Sequence, residues 1–167
     1  MISFMWNNFF KKGENKTLEC IKNCFIFEEL TASELNNLSR FVHIRNYRPG
    51  ESIFSKGEIG VGMYIVLNGK VDIFVNAQEE NPRPVTTLMA NDFMGEISLV
   101  ENKSRRTATA MAREEVSLIG FFKPDLDSII ERNPSMGAKI LNQLARVLGR
   151  RLRETARKVT ELRSEMK

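Results

Sequence analysis

Residues 63–75, Met-Tyr-Ile-Val-Leu-Asn-Gly-Lys-Val-Asp-Ile-Phe-Val, decide how the middle of the chain is read. Two runs rich in β-branched and aromatic residues flank Asn68-Gly69, a dipeptide that suits the tight turn of a β-hairpin. A type I′ turn needs positive φ at both central positions, so the pattern predicts Tyr64–Leu67 and Val71–Phe74 as paired antiparallel strands. The same texture continues on either side. Seven of the ten glycines fall between residues 50 and 120, among β-prone runs at Ser52–Phe54, Met63–Leu67, Lys70–Val75, Val85–Met89, Thr107–Met111 and Val116–Phe122. Short strands bounded by turn residues at intervals of about 8–12 predict a small sandwich or barrel, placed at about 48–123. Asn76–Pro84, with two prolines and adjacent glutamates, reads as a solvent loop between hairpin arms.

Helical patterns lie outside this region. Residues 1–16 form an arm in which Ile2, Met5, Trp6 and Phe9 recur at helical spacing before a break at Gly13. Thr17 to about His43 reads as helical, with a second helix announced by the capping cluster Thr31-Ala-Ser33-Glu34. After Pro124 a helix over Asp125–Arg132 is expected, then a long one over 135–167. In the latter Ala145, Leu148, Leu152, Thr155, Val159, Leu162 and Met166 alternate at spacings of three and four, a heptad seam. The predicted class is α+β, mainly β: a small double-stranded β-helix or jelly-roll barrel flanked by N-terminal helices and a long C-terminal helix.

With 42% apolar and 28% charged residues the 167-residue chain has the balance of a soluble globular protein, and no apolar run approaches the ~18 residues of a membrane span. Lys11 and Lys12 follow the apolar arm instead of preceding it, so no secretory signal is read and a cytoplasmic location is expected. Cys20 and Cys24, one helical turn apart, exclude a disulfide framework and read as packed small hydrophobes; with His43 the only histidine, no metal site is expected. The net charge of +4 is localised: from Lys139 to Lys167 nine Lys/Arg face three Glu, and the rest of the chain is near neutral. No nucleophile–base pair or metal cluster suggests an enzyme.

Chemistry concentrates in residues 91–109, Asn-Asp-Phe-Met-Gly-Glu-Ile-Ser-Leu-Val-Glu-Asn-Lys-Ser-Arg-Arg-Thr-Ala-Thr. Gly95-Glu96 open a one-turn helical stretch, and an arginine introduces the next strand after a polar excursion. The first amides of the turn can face an anion, and a guanidinium returning opposite them can pair with phosphate oxygens in two-pronged fashion. Glu96 is a poor phosphate ligand but a good acceptor for a sugar hydroxyl. Arg105 and Arg106 both qualify as the arginine, but consecutive strand residues face opposite ways, so one enters the pocket.

This segment, at 93–109, resembles the phosphate-binding cassette of cyclic-nucleotide-binding domains. The likeness extends over about 17–160, through Arg48-Pro-Gly-Glu51, Gly57-Glu58, Gly60 and the Met63–Gly69 stretch. The resemblance implies that Gly95 and Glu96 match the family's Gly-Glu, with the glutamate on the ribose 2′-hydroxyl, and that Arg106 pairs with the cyclic phosphate. It further implies phosphate contacts from the amides of Ile97 and Ser98, an apolar wall at Val85, a base-facing position at Thr107, and a cap on the base from Thr155. Asn91 stands where many members have glycine, which an αL-tolerant residue allows.

The function expected from the resemblance is that of a stand-alone cAMP or cGMP sensor without catalytic activity or prosthetic group, signalling through its C-terminal helix to a homodimer mate or a protein client. Sequence-specific DNA binding is not expected, because no helix-turn-helix follows. Met1–Lys12 suits a peripheral membrane contact or docking on its own domain. The rival readings are a ligand-independent interaction scaffold and a transcription regulator lacking its DNA-binding domain.

Overall fold

The structure, a computed structural model, describes residues 15–165; the aromatic arm through residue 14 and the last seam position, Met166, lie outside the described residues. Helix α1 covers residues 15–23 and is followed by a single 3-10 turn at Phe25–Phe27. Helix α2, Ala32–Leu38, starts with a capping box: the Glu34 amide donates to Thr31 Oγ1 at 3.3 Å and the Thr31 amide donates to Glu34 Oε2 at 2.7 Å.

Eight strands follow: β1 His43–Tyr47, β2 Ser52–Phe54, β3 Gly62–Asn68, β4 Val71–Phe74, β5 Thr86–Leu88, β6 Phe93–Met94, β7 Thr109–Ala112 and β8 Val116–Phe122. They form two four-stranded antiparallel sheets, ordered β1-β8-β3-β6 and β2-β7-β4-β5. Two of these strands escape the sequence pattern. β1 starts the barrel at His43, ahead of the expected 48; its residues are mostly exposed, so it lacks the apolar alternation that marks a half-buried strand. β6 is only two residues long.

The expected hairpin across Asn68-Gly69 is not one. β3 and β4 belong to different sheets, so the dipeptide makes a corner where the chain crosses from one sheet to the other. Only Gly69 has positive φ, +86°, and a Cβ there would lie 2.4 Å from the Glu115 carbonyl oxygen. The corner therefore packs against the β7–β8 connection, a tertiary contact that no local turn signal carries. Strands β4 and β5, in contrast, pair directly across the 76–84 loop, from Val71↔Leu88 to Ile73↔Thr86.

Strands β3 and β8 are buried on both faces, which explains their nearly continuous apolar runs. Met63, Ile65, Ile119 and Phe121 point to the helices, where Phe27 meets Phe121 edge-on at 5.6 Å; Val66 and Leu118 point into the barrel with Val71, Ala110 and Ala112. After α3 (Ile97–Val100) and α4 (Lys123–Arg132), helix α5 spans Pro134–Glu165. Its first half buries Met136, Ile140, Leu144 and Val147 against the N-terminal elements. Polar clamps flank this stripe: Lys139 Nζ donates to both carboxylate oxygens of Glu34, Gln143 Nε2 to Glu28 and Arg146 Nη1 to Glu29. The hydrogen bonds from Lys139 hold the Glu34 carboxyl below the usual range. From residue 150 to 164 every position of α5 is exposed. Cys24 is sealed in the helical core, where burial pushes its thiol up to about 12 and keeps it protonated. Among the described residues no group of three or more metal-ligating side chains occurs.

Phe121 ties the barrel to its helices, so Phe121→Ala should cost about 3–5 kcal/mol, read as a lowered urea midpoint at unchanged slope. A loss under about 1 kcal/mol would show that the two layers are not joined through this ring.

Candidate functional site

The cassette begins with β6, whose pairing to β3 at Tyr64↔Met94 brings Gly95 alongside the barrel mouth. Gly95 has φ +79°, and a Cβ on it would lie 2.2 Å from Arg106 Nη1. The conformation and the space both require glycine. Its carbonyl accepts from Arg106 Nη1 at 3.1 Å, and the Gly62 carbonyl accepts from Nη2 at 2.8 Å. Ser98 Oγ accepts from Nη1 at 3.2 Å and from the Ser104 hydroxyl at 3.1 Å. The guanidinium stacks 4.2 Å from the Phe54 ring centroid, and Arg106 is 7% exposed. Burial pulls its pKa below the ordinary value, although an arginine stays charged in a protein. Arg105, the next residue back, is exposed and donates to the Gly57 carbonyl at 2.7 Å. Asn91 takes φ +73°, and Gly60 passes so close that a Cβ would sit 1.9 Å from Ser98 Oγ.

These residues open onto a cavity of about 230 Å³ at the barrel mouth. Gly95, Glu96, Ile97, Ser98, Arg106 and Thr107 all line it. The Ser98 amide already bonds to the Gly95 carbonyl at 3.2 Å, which leaves positive charge in this wall chiefly to Arg106. Glu96 is wholly buried; its Oε1 pairs with Arg151 Nη1, and its Oε2 has no hydrogen-bond partner among the described residues.

Two expected positions fall elsewhere. Val85 is 63% exposed and does not line the cavity; strand alternation puts Thr86 and Leu88 of β5 on the inner wall instead. Thr155 is exposed, one turn beyond the last α5 residue that reaches the cavity, so it caps nothing in this arrangement. Arg151 holds that place. Its guanidinium stacks 5.5 Å from the Phe93 ring while pairing with Glu96. It reads in the sequence as part of a solvated basic face, and the only signal for it is its position four residues before Thr155 on the same helical side. Phe54, which stacks on Arg106, also escapes the motif because it lies on a strand far off in sequence.

Residues 44–133 match the profile of the cyclic nucleotide-binding domain. The Cyclic AMP receptor protein of Thermus thermophilus is 31% identical over 134 residues, covering 80% of this chain and 60% of that protein. The CRP-like cAMP-activated global transcriptional regulator of Mycobacterium tuberculosis is 30% identical over 144 residues, covering 86% and 62%. This chain therefore spans about 60% of the length of these relatives. The crystal structure of the Thermus thermophilus Catabolite Activator Protein superposes with a TM-score of 0.73 at 30% identity, covering 83% of this chain and 62% of that one. With the profile matched from β1 through α4 and the Gly95-Glu96 and Arg106 cassette assembled at the barrel mouth, the chain belongs to the cyclic nucleotide-binding domain family.

Proposed function

We propose that this protein is a cyclic-nucleotide sensor, taking cAMP or cGMP at the barrel mouth and signalling through α5 without catalytic turnover. The observation that carries this reading is Glu96 Oε2, a carboxylate oxygen sealed from water, without a donor among the described residues, in the same cavity as the Arg106 guanidinium. A buried acceptor left unmatched is costly, about 1–3 kcal/mol, and a ligand hydroxyl donating to it removes that penalty. Arg106 spends three donor contacts on protein acceptors, out of five N–H groups, and keeps donors for an anion. A cyclic phosphate joined to a ribose with a free 2′-hydroxyl supplies both partners in one small molecule. The wall from Leu88 and Ile73 provides apolar surface for the base.

The transmitting element is α5. Arg151 ties it to Glu96, and a hydroxyl on Glu96 changes the acceptor that Arg151 holds. A shift in the population of α5 positions then alters what its exposed half presents, to a second copy or to a protein client. The exposed half carries the seam Leu152, Val159 and Leu162, at 70%, 43% and 59% exposure, which suits pairing with the same helix of a homodimer mate. DNA reading is not part of the proposal.

A thermal-shift panel with cAMP, cGMP and a cyclic dinucleotide tests the ligand. A ligand at about 100 times its dissociation constant stabilises by about 2.7 kcal/mol. For a chain of this size that moves the midpoint by roughly 2–4 °C per kcal/mol. No shift with any of the three leaves a ligand-independent scaffold. Arg106→Leu strands a buried anion and should weaken binding by about 2–5 kcal/mol, roughly 30-fold to several-thousand-fold. Glu96→Ala removes a sugar contact and should weaken it less; the reverse order would place the phosphate elsewhere. For the seam, analytical ultracentrifugation should find a dimer that Leu152→Lys together with Leu162→Lys converts to monomer, and a wild-type monomer at all concentrations would sink the pairing.

A further inference from the structure

We propose that Arg151 selects the base of the bound nucleotide, and that it selects guanine over adenine; this rests on the reading of the cavity as a cyclic-nucleotide site. Arg106 lies at the buried end of that cavity, 7% exposed, and Arg151 at its open end, with 47% of its side chain exposed. Glu96 spends Oε1 on Arg151 and, among the described residues, leaves Oε2 without a donor. A ribose 2′-hydroxyl that takes Oε2 therefore leaves the pair with Arg151 in place. The base is joined to the sugar carbon next to the one that carries this hydroxyl. It leaves the sugar beside Glu96, where the guanidinium is already fixed.

Arg151 is held in the wall with most of its hydrogen-bonding capacity unspent. One of its five N–H groups goes to Glu96, and the guanidinium lies 5.5 Å from the Phe93 ring centroid, which restricts its plane. The groups that remain can only donate. Guanine offers two acceptors side by side, O6 and N7, which a guanidinium takes bidentately. Adenine's 6-amino group lies between N7 and N1, so each of those acceptors comes with a donor beside it, turned toward the arginine. The rest of the wall does not offset this. Glu96 is the one carboxylate among the described residues that line the cavity, no side-chain amide joins it, and the Thr86 and Thr107 hydroxyls belong to exposed residues. Guanine's own donors, N1–H and the 2-amino group, lie away from N7 and can face water at the open mouth.

Isothermal titration calorimetry of the full chain with cGMP, cAMP and the inosine analogue cIMP tests the assignment, because cIMP keeps O6 and N7 but lacks the 2-amino group. cGMP and cIMP should bind with similar affinity, and cAMP about 5- to 150-fold more weakly, the range of one bidentate base contact. Arg151→Met keeps the apolar stem without donors and should bring the three affinities together. Arg151→Gln supplies an amide, which pairs with adenine N6 and N7, and should turn the preference toward cAMP. Both replacements are good helix formers, and an unchanged far-UV circular dichroism spectrum checks that the helices are kept. If neither variant folds, the wild-type order of the three nucleotides carries the test alone. A variant that weakens all three nucleotides in equal measure would assign Arg151 to holding Glu96 only and overturn the proposal. Equal binding of cGMP and cAMP by the wild-type chain, the result of a guanidinium stacked on the face of either base, would overturn it too, as would cGMP binding far ahead of cIMP. Those outcomes leave the sensor standing, whereas binding of none of the three refutes the sensor and the base selection together.

Discussion

A guanidinium removed from water is the constraint around which the site is built. Taking a charge into a protein interior costs several kcal/mol unless acceptors replace its hydration shell, and Arg106 receives them from the Gly62 and Gly95 carbonyls, from Ser98 Oγ and from the face of Phe54. Each partner imposes a condition of its own. Gly95 must take positive φ to turn its carbonyl toward Nη1, and must lack a Cβ to leave the guanidinium room. Gly60 must lack one so that Ser98 can reach the arginine. Glu96 follows Gly95 directly, so the turn that serves the arginine also sets the carboxylate into the same wall. The glycines that look like loop punctuation in the sequence are, at these positions, consequences of one side chain.

The connection from this wall to the helices runs through strands with two inner faces. Along β3, Ile65 belongs to the helical core and Val66 to the barrel; along β8, Leu118 and Ile119 divide in the same way. Helix α5 packs on the helical side through Met136, Ile140, Leu144 and Val147; the Arg150 guanidinium lies 5.1 Å from the Phe25 ring, and one residue further on Arg151 reaches the cavity and turns to Glu96. The part of α5 before Arg150 is therefore held by the domain, and the part after Arg151 is held by nothing among the described residues except its own helical bonds and side-chain pairs such as Arg157 with Glu161.

What could be read in the sequence was whatever is local. The capping box at Thr31 and Glu34, strand β8 at Val116–Phe122, and the alternation that buries Arg106 and exposes Arg105 all follow from neighbours within a few residues. Asn68-Gly69 shows where local reading stops: the turn exists, but whether the flanking strands pair depends on which sheet each joins, and that is settled by partners up to about sixty residues away in β8 and about forty in β7. Val85 failed for a related reason. A strand's inner face depends on its register with β4, and a one-residue difference exchanges Val85 for Thr86. Arg151 was hidden because a cation on an exposed helix has many uses, and only the tertiary path of α5 singles out this one.

The charges of the cavity bear on what kind of molecule it suits. Glu96 and Arg151 neutralise each other across the wall, and among the described residues no carboxylate bonds to Arg106, its acceptors being carbonyls and a hydroxyl. A site of low polarity whose one buried cation is uncompensated favours a single negative charge, which is the charge of a cyclic phosphodiester; a terminal phosphate brings nearly two. The second requirement, a hydroxyl donor for Glu96 Oε2, has to be met at a fixed distance from that anion, because both protein groups are anchored by the same turn. Small anions alone satisfy Arg106 and leave Glu96 unmatched, and neutral sugars do the opposite. The two requirements together restrict the proposed ligand to molecules that hold a monoanion and a hydroxyl rigidly apart, and the rigidity of a ring fused to a ribose lowers the ordering cost of meeting both at once.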